Sequence, residues 1–166
     1  MVRTSDEGWC GPGRRGTHRR MPVPQFTNEG VLPPGVHQCT LDEVAGALAW
    51  SGRRRVLIAR LRDYAGVLCA AWGSVSIILD GSFVSSADEP NDIDVVVLIN
   101  ELGLGGAAPR PDQATSIRRP WVNKQYSDEI DLQVAADDGL AAHWTTFFSE
   151  VKGRPGVLKG LVRVSL

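Results

Sequence analysis

The sequence predicts an α+β domain, a mixed β-sheet with helices packed mainly on one face. Three observations point there. Ile77-Ile78-Leu79 and Val95-Val96-Val97-Leu98-Ile99 are short apolar runs of the length and composition of buried strands. Between about 53 and 72, Leu57, Leu61, Tyr64, Leu68 and Trp72 recur at three- and four-residue steps, the stripe of an amphipathic helix. Ile130-Asp131-Leu132-Gln133-Val134-Ala135 alternates with the period of a strand whose two faces differ. Strands are therefore expected at about 76–81, 93–99 and 129–135, with the long helix on one face.

Taken in order, residues 1–20 are rich in Gly, Arg, Ser and Thr and lack apolar periodicity, so they read as a disordered basic tail, with Met21 as an alternative start. Residues 21–166 form the domain. Its first part, 21–38, carries Pro22, Pro24, Pro33 and Pro34 and is expected to be an extended strap lying on the domain. Thr40-Leu41-Asp42-Glu43 has the capping-box form and should open a short helix that ends near Trp50. The long helix follows. Its Arg53-Arg54-Arg55 start puts cations at the positive end of the macrodipole and reads as a solvated end, with acidic partners or a nucleotide tail as the alternative.

Beyond Ile99 the signal weakens. Residues 100–128 hold several Gly and Pro and read as a long loop with one helical turn near 112–117, supplying Arg118, Arg119 and Lys124 as cations. Asp137 or Asp138 should cap a helix running to about Ser149 that buries Leu140, Trp144 and Phe147 or Phe148. Val157 to Leu166 reads as a final strand with Lys159 near its start.

Composition removes some function classes. A chain of 166 residues with 43% hydrophobic content is long enough for one domain with a core. Its net charge of −1 argues against a dedicated nucleic-acid surface. The charge is uneven: residues 1–20 carry five Arg against Asp6 and Glu7, a local +3, which leaves −4 for the remainder. No apolar run approaches the roughly 18–20 residues of a membrane span. Cys10, Cys39 and Cys69 show no metal-ligand spacing, so neither a zinc site nor a disulfide framework follows, and Cys69 reads as a core thiol. The expected compartment is a reducing cytoplasm.

The chemistry concentrates between Asp80 and Asp94. Asp92 and Asp94 stand at the mouth of an apolar strand and project from one face, about 6–7 Å apart along the chain. Carboxylates so close are costly unless a cation joins them. A hard, oxygen-seeking ion such as Mg²⁺ suits them, taking its other ligands from water and substrate phosphates. Ahead of them the strand 76–81 ends in Gly81-Ser82, a turn that lets backbone approach a ligand and offers N–H groups and a hydroxyl to phosphate oxygens. Asp131 lies on the face opposite Ile130, Leu132 and Val134, which favours it over Asp128 and Glu129 as a further functional carboxylate. Asp80 and Asn91 are supporting candidates, each equally at home as a turn cap.

Strand, Gly81-Ser82, a short connection, Asp92-Ile93-Asp94 opening a second strand, and the later Ile130-Asp131-Leu132 together resemble the active-site signature of the DNA polymerase beta-like nucleotidyltransferase superfamily. The arrangement Pro22-x-Pro24, Pro33-Pro34-Gly35-x-His37, Asp80-Gly81-Ser82-Phe83-Val84, Pro90-Asn91-Asp92-Ile93-Asp94-Val95-Val96 and Lys159-Gly160 looks like a family of small prokaryotic nucleotidyltransferase-like proteins, over residues 21–166. Two departures stand out. Better-known minimal members commonly follow Gly-Ser with Arg-Gly, where this chain has Phe83-Val84-Ser85-Ser86. The sizeable C-terminal helical domain of larger relatives is also missing.

The resemblance implies a minimal nucleotidyltransferase fold and two-metal transfer of an NMP group from an NTP, with ATP the expected donor, to a hydroxyl of a protein, RNA or small molecule. It implies Asp92, Asp94 and Asp131 as catalytic residues and ligands of Mg²⁺ or Mn²⁺, and Gly81 and Ser82 as nucleotide-binding residues. Two metals about 3.5–4 Å apart stabilise attacking and leaving oxygens together. A different class keeps the fold as a nucleotide-sensing or partner-binding module, as in a toxin–antitoxin or defence pair. A metal-dependent phosphohydrolase is a third, which leaves Gly81-Ser82 unexplained.

Overall fold

The computed structural model describes residues 22–104 and 107–166, so the expected tail at 1–20 lies outside the described residues. It is a mixed α+β structure with a five-stranded sheet in the order β1-β5-β2-β3-β4. The strands are β1 (Gly35–Cys39), β2 (Ser76–Asp80), β3 (Ile93–Leu98), β4 (Ile130–Ala135) and β5 (Gly160–Ser165). Two outer pairs, β1·β5 and β3·β4, are parallel, and β2 runs antiparallel to both neighbours. Five α-helices are described: α1 (Leu41–Leu48), α2 (Gly52–Trp72), α3 (Pro111–Ser116), α4 (Arg119–Tyr126) and α5 (Asp138–Ser149).

Strand parity sorts the side chains into two layers. Ile77 and Leu79, Ile93, Val95 and Val97, Ile130 and Leu132, and Val162 and Val164 face one way. They pack with Leu41, Val44 and Leu48 of α1, with Leu57, Leu61, Tyr64 and Leu68 of α2, and with Val122 and Tyr126 of α4. The opposite face carries a smaller cluster of Ile78, Val96, Leu98, Ala135 and Leu161, covered by Phe148 and Trp144 of α5. The expected pattern of helices mainly on one face holds, with α5 alone among the described helices packed into the second cluster.

Local chemistry explains most boundaries. Thr40 and Glu43 close a reciprocal capping box at α1. Ser51 caps α2 by accepting from the Arg54 N–H, and α2 ends at Gly73, whose φ of 80° suits glycine. Asp137 caps α5.

The last residues of the strap over 21–38 form β1 and pair in parallel with β5. Pro33 and Pro34 lack N–H groups, so ladder pairing starts only after them. Two expectations need correction. The weak stretch 100–128 is not chiefly loop, since it contains α3 and α4. Pro111 and Pro120 sit in the first positions of these helices, where the missing N–H would have no intrahelical partner anyway. Finally, α5 buries Phe148 but leaves Leu140 and Phe147 exposed, and Cys69 is half-buried on α2 rather than in the core.

Candidate functional site

Register brings the acidic residues together. Asp80 of β2 pairs across the ladder with Asp94 of β3, and Asp94 with Asp131 of β4. Adjacent strands lie about 4.8 Å apart, so the three carboxylates form a row across three strands on the α5 side of the sheet. Along this face, Val96 and Leu98 continue apolar from Asp94, and Ile78 precedes Asp80. Asp92, two residues before Asp94, stands half-buried just ahead of β3 and lines one cleft with Asp131.

The row is electrostatically coupled. Burial raises the Asp94 carboxyl to about 6, reinforced by the charges of Asp80, Asp92 and Asp131 and opposed by Lys159. Burial and then the Asp131 charge also hold Asp92 above the ordinary carboxylate range, against the pull of Arg53. Asp80 is raised by burial too, while Lys159 works the other way.

Cations stand at both ends. The Lys159 ammonium donates to both Asp80 oxygens at 2.8 Å, in a pair whose side chains are only 14% and 3% exposed. At the other end Arg119, opening α4, donates to Asp131 at 2.6 Å, with side chains 54% and 32% exposed. Beside the row, Glu129 is held by Arg53 and Arg60 of α2, which removes it from competition with Asp131 and lowers its carboxyl against the raising effect of burial. A cleft of about 160 Å³ opens here, lined by Asp92, Arg119, Asn123, Asp128, Ile130 and Asp131. Ser127 and Asp128 beneath it both have positive φ (53° and 58°), an uncommon pair for non-glycine residues.

The Gly81-Ser82 turn leads directly out of Asp80. Gly81 has φ 82° and ψ −166°, a region closed to other residues, and a Cβ there would collide with the Asp94 carboxylate. The turn therefore needs glycine twice over, for its dihedrals and for the close approach to Asp94. Ser82 is exposed beside it. The strap braces the turn from outside: Val31 bridges Ser85, and the Ser86 N–H donates to the Gly30 carbonyl.

The structure thus gathers Asp92, Asp94, Asp131, Gly81 and Ser82 at one end of the sheet. Asp80 belongs to the same row. Among the described residues, no three His, Cys, Asp or Glu side chains are set closely enough to hold a metal ion, with Asp80 turned onto Lys159 and Asp131 onto Arg119. The carboxylates that remain are all oxygen donors and repel one another, the chemistry that a hard divalent cation suits.

A family model described as a family of unknown function (DUF6932) matches residues 24–165. The chain belongs to that family. No curated protein and no solved structure matches it. The matched span of this DUF6932 member includes every strand and the whole carboxylate row.

Sequence reasoning missed two features. The sequence gives Lys159 no partner, because its pairing with Asp80 joins residues 79 apart. Of the arginines opening α2, Arg55 is exposed as expected, but Arg54 is 0% exposed, and Arg53 donates to the Pro90 and Asn91 carbonyls as well as to Glu129. The available signal was their position against the helix dipole, a cost that an unengaged surface arginine has no reason to bear.

Proposed function

We propose that the chain is a nucleotidyltransferase of the DNA polymerase beta-like type, with a minimal nucleotidyltransferase fold, that moves an NMP group from an NTP to an acceptor hydroxyl, with pyrophosphate as the leaving group. One observation carries this reading: a Gly-Ser turn and three carboxylates on three adjacent strands converge at one sheet end, with a fourth, Asp92, beside them. A structural salt-bridge cluster has no need of a glycine pressed against an acid, nor of Asp94 held near 6.

Asp92, Asp94 and Asp131 would hold Mg²⁺ or Mn²⁺, which would supply charge neutralisation at the phosphates. The raised Asp94 and Asp92 fit such a group, because burial and then neighbouring carboxylate charges raise them, and a divalent ion would offset both. The Ser82 hydroxyl and the turn's N–H groups orient the triphosphate. Asp131, at the open cleft, accepts the proton of the acceptor hydroxyl once Arg119 releases it.

The Asp131–Arg119 pair favours a second reading, a nucleotide- or partner-binding module without turnover, since it occupies the carboxylate that catalysis needs. Incubation with α-labelled NTPs, Mg²⁺ or Mn²⁺ and a host lysate separates the two. The transferase reading expects a labelled acceptor with wild type. It also expects loss of labelling with most triphosphate binding retained in Asp131→Asn, the mark of an interaction made mainly in the transition state. Wild type that labels no acceptor pool, while a cellular phenotype survives Asp131→Asn, would leave only the module.

A further inference from the structure

Among the described residues the Arg54 side chain is the largest that is fully buried, and it serves five backbone carbonyls. Its Nη1 donates to Phe83 at 2.8 Å and to Leu48 at 3.2 Å. Its Nε and Nη2 both reach Ala87, at 2.8 and 2.6 Å, and Nη2 also reaches Ser85 at 2.6 Å and Ser82 at 3.3 Å. The guanidinium lies 3.6 Å from the centre of the Trp50 ring, and Trp50 in turn donates to Asp88. Among the described residues no carboxylate forms an ion pair with Arg54.

A buried charge without an acidic partner is costly unless hydrogen bonds satisfy it completely. Here they do, and four of the five acceptors belong to the segment that follows Gly81. A peptide group is planar and trans, so a carbonyl drawn inward sends the N–H of the same peptide outward. The Ser82 carbonyl and the Phe83 N–H are such a pair, and that N–H leaves the core beside the exposed Ser82 hydroxyl. Arg53 fixes the far end of the same connection through the Pro90 and Asn91 carbonyls. The first turn of α2 thus grips the whole path from Gly81 to Asp92 from beneath.

We infer that Arg54 is the positioning residue of the Gly81–Ala87 turn, holding the Ser82 carbonyl inward so that the Phe83 N–H and the Ser82 hydroxyl are presented to a triphosphate. The ligand class rests on the proposed transferase reading; the ordering of the turn does not. Lysine is no substitute, because one ammonium with three donors cannot span carbonyls that a planar five-donor fork reaches together.

Two variants test this. Arg54→Lys keeps the charge. Val164→Ala removes core volume at the opposite end of β5 and controls for a general loss of stability. Hydrogen exchange of residues 82–88 is measured for both, and Mn²⁺-ATP affinity by calorimetry. Arg54→Lys is expected to speed exchange in 82–88 selectively and to weaken Mn²⁺-ATP by about tenfold or more, while Val164→Ala at a matched loss of Tm does neither. Exchange in 82–88 no faster in Arg54→Lys than in the control overturns the inference, whether or not nucleotide binds. So does faster exchange with unchanged affinity, because the turn would then not present the ligand-binding groups. If wild type binds no Mn²⁺-ATP, the transferase reading fails by itself, and selective exchange in Arg54→Lys still upholds Arg54 as the residue that orders the turn.

Discussion

The two ends of the carboxylate row are built alike and situated differently. At one end Lys159 sits against Asp80, and both side chains are almost out of water. At the other, Arg119 sits against Asp131 at a similar distance, with Arg119 exposed and Asp131 half-buried at the rim of a cleft. An exposed ion pair contributes roughly 0–1 kcal/mol and exchanges readily, whereas breaking a buried pair strands a charge. The row therefore has a fixed end and an open end. On the proposed reading a ligand would enter at Asp131, while the Asp80 end holds the strands and the Gly81 turn in register.

The largest expected effect is at the fixed end. Lys159→Met leaves Asp80 buried without its partner and should lower unfolding free energy by about 3 kcal/mol or more, read from urea melts. Adding Asp80→Asn to it should restore a large part of that loss, because the stranded charge is gone. A single variant within 0.5 kcal/mol of wild type would put the two ends on equal terms.

The middle of the row comes next, and its sign differs. Asp94 has a folded-state carboxyl raised to about 6 from a value near 3.8. A raised acid binds its proton more tightly when folded, so its contribution is full below about pH 4 and is lost as pH rises through 6. Without metal, wild type should lose stability relative to Asp94→Asn across that window. At pH 8 the variant should be more stable by roughly 1–2 kcal/mol. A variant less stable than wild type at pH 8 would mean that Asp94 has a favourable partner in the metal-free protein. The open end should respond least: Arg119→Ala is expected to change stability by less than about 1 kcal/mol, with the difference shrinking in high salt.

How far the sequence led follows the same division. Period-two alternation was enough to put Asp131 on the face opposite Ile130 and Leu132, and to put Asp92 with Asp94. Neither inference needs a second strand. Asp80 could not be placed in the row that way, because its membership depends on register between β2 and β3, which side-chain parity in one strand does not specify. The same holds for Lys159, which reaches Asp80 only because β5 lies beside β2. Arg54 was legible as a helix-terminal cation but not as a buried one, since the carbonyls that satisfy it come from a loop about 30 residues away, folded under α2. The segment holding α4 was misread for a local reason: Pro120 starts a helix at its first positions, and the same residue a few places later would have ended one.

The central claim is that these carboxylates and the Gly81-Ser82 turn form a metal-dependent triphosphate site. Calorimetric titration of ATP into the full chain, with and without Mn²⁺ and beside the double variant Asp92→Asn/Asp94→Asn, tests it most directly. The account predicts binding by wild type only with the divalent ion, and no measurable binding by the double variant, which should be folded and at least as stable as wild type in metal-free buffer. Equal affinity in wild type and variant, or binding that ignores the metal, would contradict it.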